Sequence, residues 1–327
     1  MNYRKLGKTD ILISEISLGT WQLGGKWGKG LNKEIALNTL SSATSLGINC
    51  FDTADVYQDQ QSETTIGEYL KTVKTKPFVI TKSGRQLNPH IAEGYTEQNI
   101  RRYINESRTR LGVQSLDMVL LHCPPTDVYY KPEVFAFMDQ FKKEGLIKHY
   151  GVSVERIEEG LKAMDYPGVE AIEIIFNMFR LRPAERFFNE AKKHEIGVIV
   201  RVPLASGLLT GKFSKETTFS KGDHRLFNRN GEAFDKGETF SGVDYELGLK
   251  AVEELKAVFN TENLAPYALK FILMYDAVST VIPGASKESH IISNVKASNM
   301  PDLTKKQMNE VKRIYDTYIK HPVHYLW

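Results

Sequence analysis

Asp52, Tyr57, Lys82 and His122 can each hold or move a proton, and each stands at or just after the end of a short apolar run. In "NCFDTADVYQ", Cys50 and Phe51 read as the end of a strand, and Asp52, Thr53, Asp55 and Tyr57 follow at once. Alone, that stretch is explained as a polar loop, because Asp and Thr favour turns through local side-chain hydrogen bonds. Lys82 closes "FVITK" and His122 closes "MVLLH", so the placement recurs at successive strand ends. A free phenol, with a pKa of about 10, is a poor acid at neutral pH. An ammonium about 4 Å away, at an effective dielectric of about 20, favours the phenolate by about 4 kcal/mol, or about three pKa units. Lys82 is therefore expected to bring Tyr57 near neutrality, where general acid catalysis is efficient. A buried lysine needs a counter-charge to keep its proton, and Asp52 is placed to provide one. His122 can orient a carbonyl oxygen or share the proton. An acid aimed at a carbonyl performs half of a reduction, so a dinucleotide site should exist elsewhere in the chain.

Strands are expected at residues 16–18, 48–51, 78–81, 118–121, 150–152, 172–176, 198–202 and 280–282. Between them lie segments with apolar residues at helical spacing, such as "EIALNTLSSATSLG", "TEQNIRRYINESRTRLG", "VFAFMDQFKKEG" and "RFFNEAKKHEIG". Several close on Gly with Lys or His in the last turn, and Thr96 and Ser62 read as N-caps. Eight strand-helix units with no linker or composition break point to an α/β (β/α)8 TIM barrel, one domain over residues 1–327. In such a barrel the residues at strand C-termini converge on one rim. A doubly wound sheet is the alternative, but no GxGxxG follows the first strand. "YRKLGKTDILIS" reads as a β-hairpin around Gly7-Lys8 that plugs one end of the barrel. The polar run 214–243 and the tail ending in "HPVHYLW" depart from the alternation, as long functional loops do.

The chain has 327 residues, 41% hydrophobic and 25% charged, ample for a large core. A net charge of +3 gives no electrostatic case for nucleic acid or a membrane, and leaves room for a local basic pocket. With two cysteines and no apolar N-terminal stretch, a cytoplasmic protein is expected, monomeric or a small homo-oligomer. His122 beside Cys123 lacks metal-ligand spacing, so no metal is expected.

The ordered set "FDTADVY", "TKSG", "LHCPP", "YGVSV", "PLASGLLTGKF" and "VIPGASKESHIISN" resembles the aldo-keto reductases across nearly the whole chain. The resemblance is strongest to the bacterial NADPH-dependent barrel reductases with Gly-Ala after the last-strand Ile-Pro. It implies a (β/α)8 barrel that reduces aldehydes or ketones to alcohols with NAD(P)H. The roles derived above then fall to Asp52, Tyr57, Lys82 and His122, with Tyr57 as the acid. It also implies cofactor contacts from Gly19, Thr20, Trp21, Ile282 and Pro203. Ser153 matches a nicotinamide carboxamide contact, but Val154 replaces the usual Asn, and Glu173 stands where a carboxamide-binding Gln is common. Arg201 stands where relatives stack an aromatic ring on the nicotinamide, and its charge would favour the reduced cofactor. Leu204, Ser206, Gly207, Leu208 and Lys212 match the pyrophosphate segment, while Gly284, Ser286, Lys287, His290 and Asn294 match a helix N-terminus that takes a phosphate. His290 replaces an Arg or Gln there, which loosens the expected preference for NADP(H) over NAD(H). Trp21, Trp27, Tyr57, Phe176 and Trp327 are candidates for the substrate wall, suited to a small carbonyl or alcohol. Two rival functions share these residues: a Schiff-base aldolase using Lys82, which Asp52 opposes by keeping the amine charged, and an NADPH-binding regulatory module with little turnover.

Overall fold

A computed structural model describes residues 1–25 and 30–327 of the chain. An antiparallel hairpin, β1 (Tyr3–Lys5) and β2 (Leu12–Ser14), precedes the barrel. Its turn needs Gly7, whose φ is +55° and where a Cβ would lie 2.2 Å from the backbone nitrogen of Gly197. The hairpin thus presses against the barrel floor and sends Leu6 and Ile13 inside.

The barrel strands are β3 (Leu18–Gly19), β4 (Cys50–Asp52), β5 (Phe78–Ser83), β6 (Leu116–His122), β7 (Ile147–Ser153), β8 (Ala171–Ile175), β9 (Gly197–Arg201) and β10 (Val278–Val281). They form one parallel sheet in chain order. Parallel bridges Ile16–Val281 and Gly19–Gly284 join the first staves to the last. Each expected strand is present, within a few residues of its expected ends. Inside sit Leu6, Ile13, Cys50, Ile80, Met118, Leu120, Ala171, Ile199 and Ile282, so the barrel is filled at its floor and opens only at the top.

The helices in chain order are α1 (Lys33–Ser45), α2 (Gln61–Leu70), α3 (Glu97–Leu111), α4 (Pro132–Lys143), α5 (Ile157–Ala163), α6 (Phe187–Lys193), α7 (His224–Phe227), α8 (Tyr245–Phe259), α9 (Ala265–Leu273), α10 (Glu288–Asn299), α11 (Lys305–Ile314) and α12 (Lys320–Val323). Thr96 caps α3 as expected, accepting from the Asn99 N–H, and Gly112 ends it in the left-handed conformation. Ser62 is not a cap: it lies inside α2, where its hydroxyl donates to Thr20 Oγ1 at 2.9 Å. Among the described residues, no helix is long and apolar enough to cross a membrane.

Candidate active site

Strand pairing places the proton-handling residues. β4 and β5 run parallel with Asp52 opposite Ile80, which brings Lys82 up beside the Asp52 carboxylate. Lys82 Nζ donates to both Asp52 oxygens at 2.7 Å, to the Thr53 carbonyl at 3.0 Å and to the Tyr57 hydroxyl at 3.4 Å. The Tyr57 loop is held by three successive left-handed residues, Gln58, Asp59 and Gln60. None of them is glycine, so backbone strain is stored where Tyr57 is presented. The His122 ring meets Tyr57 edge-on, with centroids 6.0 Å apart, and Trp21 stacks on Tyr57 at 6.1 Å.

The electrostatics differ from the sequence expectation at one point. Lys82 touches a second carboxylate, with Glu173 Oε2 at 3.3 Å from Nζ. Burial opposes charge on Lys82, but Asp52 and Glu173 outweigh it and hold the ammonium well up. Tyr57 is not brought to neutrality. Burial raises its phenol; Lys82 pulls down, and Asp52, Glu173 and Glu238 push up again. An ammonium with two counter-ions cannot acidify a third group as a lone one would. Tyr57 therefore rests fully protonated, a donor with its proton in place. Burial, then Arg85, Lys82 and Arg201, hold the His122 imidazole well down, so it is neutral.

A second buried group of charges adjoins the first. Arg201 Nη2 donates to Glu155 at 2.8 Å and to the Val154 carbonyl at 3.0 Å, and Arg201 also lies 3.5 Å from Glu238 and 3.9 Å from Glu173. Arg85 reaches Glu238 at 3.2 Å and Glu155 at 3.7 Å. Arg201 does line the cavity, but its charge is matched on three sides by carboxylates. The expected bias toward reduced cofactor through a free guanidinium charge loses its basis. Cys123, Glu155 and Glu238 have ligand atoms within 4.8 Å of one another, yet two guanidiniums already bind those carboxylates.

Asp52, Tyr57 and His122 face a cavity of about 770 Å³ that runs from Tyr57 and His122 to the first turn of α10. Gly19, Thr20, Trp21, Ser153, Glu173, Arg201, Pro203, Leu204, Ser206, Gly207, Lys212, Ile282, Gly284, Lys287, His290 and Asn294, all named above as candidate cofactor contacts, line it. Lys82 is fully buried just behind this wall. Leu208 does not line the cavity; fully buried, it packs toward Gly248. Ser286 sits outside the lining and contacts His290 Nδ1 at 3.4 Å. Phe176 belongs to the core, against Phe188, Phe271 and Tyr275. Trp327 packs on the Arg180 guanidinium at 4.1 Å, away from the cavity. Trp27 lies outside the described residues. The outer wall is instead made by Trp21, His224 and Phe234, with Trp21 5.0 Å from His224 and 6.0 Å from Phe234. His224, Phe234 and Glu238 come from the polar run 214–243, which sequence patterning marks only as a loop. Arg85, three residues after Lys82, carried the best available signal among the missed residues.

The chemistry of the lining fits a dinucleotide. At the inner end Glu173 Oε2 and Arg201 Nε are buried and have no hydrogen-bond partner among the described residues. At the outer end Lys212, Lys287 and His290 face the start of α10, whose N-cap Lys287 leaves the first N–H groups without a side-chain cap. Ser206 and Gly207 are both left-handed, which turns successive backbone N–H groups toward one side, and a Cβ at Gly284 would meet nothing nearer than 4.0 Å.

A barrel with an Asp-Lys-Tyr-His group at its mouth and a cavity of this chemistry defines a class, and comparison places the chain in it. The family model described as "Aldo/keto reductase family" matches residues 15–316, and the chain belongs to that family of oxidoreductases, which use nicotinamide cofactors. It is 30% identical to the "Uncharacterized oxidoreductase YqkF" of Bacillus subtilis, over 95% of this chain and 96% of that one. It is 26% identical to the "NADH-specific methylglyoxal reductase" of Escherichia coli, over 90% and 93%. The solved glycerol dehydrogenase AKR11B4 of Gluconobacter oxydans superposes with a TM-score of 0.79 at 25% identity, covering 98% of this chain and 97% of that one.

Proposed function

We propose that this protein reduces small aldehydes or ketones to alcohols, with Tyr57 giving the proton to the substrate oxygen. The observation that carries the reading is the Lys82 ammonium, bound to Asp52 at 2.7 Å and 3.4 Å from the Tyr57 hydroxyl at the inner end of the cavity. A reduced nicotinamide, when bound, would supply the hydride. Ser153, Glu173 and Arg201 would hold its ring end; Ser206, Gly207 and Lys212 its pyrophosphate; Lys287, His290 and Asn294 its adenosine phosphate. Tyr57 and the neutral His122 bracket the place of a carbonyl oxygen: one donates its proton, the other orients by hydrogen bond. Trp21, Phe234 and His224 exclude water from the substrate. A complete proton-handling group favours turnover over a purely regulatory binding role, and the buried, charged Lys82 opposes Schiff-base chemistry.

NADP(H) is the preferred cofactor in this reading, because Lys287 offers a cation, beside His290 and Asn294, where an added phosphate would lie; a relative described as NADH-specific makes the point worth testing. The test follows loss of reduced-nicotinamide absorbance with a panel of aldehydes and ketones, using NADPH and NADH in parallel. Turnover with at least one carbonyl is expected. Lys287→Ala should weaken NADPH binding about tenfold, as loss of a charged hydrogen bond does, and leave NADH within about twofold. Tight binding with no turnover on any substrate would overturn the enzymatic reading. An equal loss for both cofactors would remove Lys287 from the phosphate.

A further inference from the structure

Asp52 and Glu173 converge on one ammonium in a site that excludes water. Asp52 is 2% exposed, Glu173 1% and Lys82 0%. Asp52 holds Lys82 through both its oxygens at 2.7 Å, and Glu173 Oε2 approaches to 3.3 Å without a hydrogen bond of its own. Among the described residues its other oxygen, Oε1, accepts from Ser153 Oγ alone, at 3.2 Å. The nearest further cation is Arg201 at 3.9 Å, and Arg201 is already bound by Glu155 at 2.8 Å. Two ionised carboxylates would thus share a single ammonium in a low-dielectric site, leaving one buried negative charge uncompensated, which is costly. Like-charged carboxyls crowded in this way titrate as a pair, the first proton to leave going easily and the second with difficulty.

We infer that Asp52 and Glu173 share one proton at neutral pH, so that the ammonium of Lys82 is balanced by a single net charge and Glu173 acts as a positioning residue for the acid. Burial, and then Glu173, push the Asp52 carboxyl well above the ordinary range, against the pull of Lys82, in keeping with a retained proton. Other groups facing the pair leave this balance intact. Tyr57 is a protonated phenol, His122 a neutral imidazole, and Ser153 is uncharged. Arg85, Glu155 and Glu238 form ion pairs among themselves and with Arg201, and burial, then Glu155, push the Glu238 carboxyl up to about 7, so that cluster carries its own proton rather than drawing on the pair.

The arrangement answers the departure noted above. A second full negative charge beside Lys82 would raise the phenol without purpose; a shared proton limits that effect while keeping Lys82 charged. It also marks Glu173 as more than a carboxamide contact, since a Gln there could not take up or release a proton. The consequence for turnover rests on the reductase reading, but the protonation state does not.

The test is infrared difference spectroscopy of the protein without cofactor, at neutral pH, comparing wild type with Glu173→Gln and with Asp52→Asn. Burial also pushes Asp55 and Glu238 up to about 7, so each contributes a carbonyl stretch common to all three proteins. Above that shared background, one further protonated-carboxyl band should be present in the wild type and lost in each variant, because either remaining carboxylate ionises fully against Lys82. Loss in both supports the shared proton. Retention in either variant, or no such band in the wild type relative to both, overturns it. Glu173→Ala carries the same comparison should the glutamine variant fail to fold. Because the signal comes from the resting protein, it decides the inference even if no carbonyl compound is turned over.

Discussion

Tyr57→Phe is expected to lower carbonyl reduction by about 10²- to 10⁴-fold, the usual contribution of a positioned general acid. Affinity for the nicotinamide cofactor should stay within a few-fold. The substitution removes one oxygen from a ring that keeps its stacking on Trp21 at 6.1 Å and its edge contact with His122. Lys82 loses only its longest contact, at 3.4 Å, and keeps Asp52 and Thr53. The fold and the outer end of the cavity are untouched. A steady-state comparison of kcat and cofactor Kd checks this, and normal turnover in the variant would remove Tyr57 from the role of acid.

Lys82→Met should be comparably damaging to activity, and it should also destabilise the protein. Removing one partner of a buried ion pair costs about 3–5 kcal/mol, because the other charge is left uncompensated. Here two carboxyl groups, Asp52 and Glu173, lose their common cation. In the variant the folded-state pKa of Asp52 lies above its unfolded value, since burial and the Glu173 carboxylate already raise it and the opposing pull of Lys82 is gone. A group raised on folding contributes stability that is fully present below its unfolded pKa and lost as pH rises through the folded one. The deficit should therefore be largest at neutral and alkaline pH and smallest near pH 4, about where free carboxyl groups become protonated. Denaturant unfolding of both proteins at pH 4 and pH 8 measures it. A deficit independent of pH would mean that Lys82 matters for packing alone.

The order of strands and the four proton-handling residues were legible because both follow local rules. A short apolar run ending in a polar residue marks a strand with its C-terminus on the functional rim, and β4, β5 and β6 obeyed it at Asp52, Lys82 and His122. The outer end of the cavity follows local rules too: Lys287 opens a helix, and Gly207 adopts the left-handed conformation that a close backbone approach uses. What stayed hidden depends on which residues distant in sequence meet around a closed barrel. Lys82 and Glu173 are three strands apart in the sheet, and only its curvature brings them to 3.3 Å. Burial of the phenol, reinforced by Asp52 and by that second carboxylate, overturned the expected acidification of Tyr57. Glu238 and Phe234 lie in a run without periodicity, and the contacts that hold the segment over the cavity come from residues distant in sequence, Arg85 and Arg201 on Glu238 and the Ser206 hydroxyl on the Glu238 carbonyl. Phe176 and Trp327 were misread because an aromatic residue near a strand end or a terminus suits a core as well as a pocket.

One measurement bears most directly on whether this cavity carries out reduction. Single turnover with reduced nicotinamide deuterated at both C4 positions, followed by mass analysis of the alcohol, asks whether hydride passes to the substrate carbon. One deuterium on the carbinol carbon, formed by the wild type and strongly diminished in Tyr57→Phe, is the expected result. An alcohol without deuterium, or cofactor that stays bound and reduced with every carbonyl offered, would contradict the account.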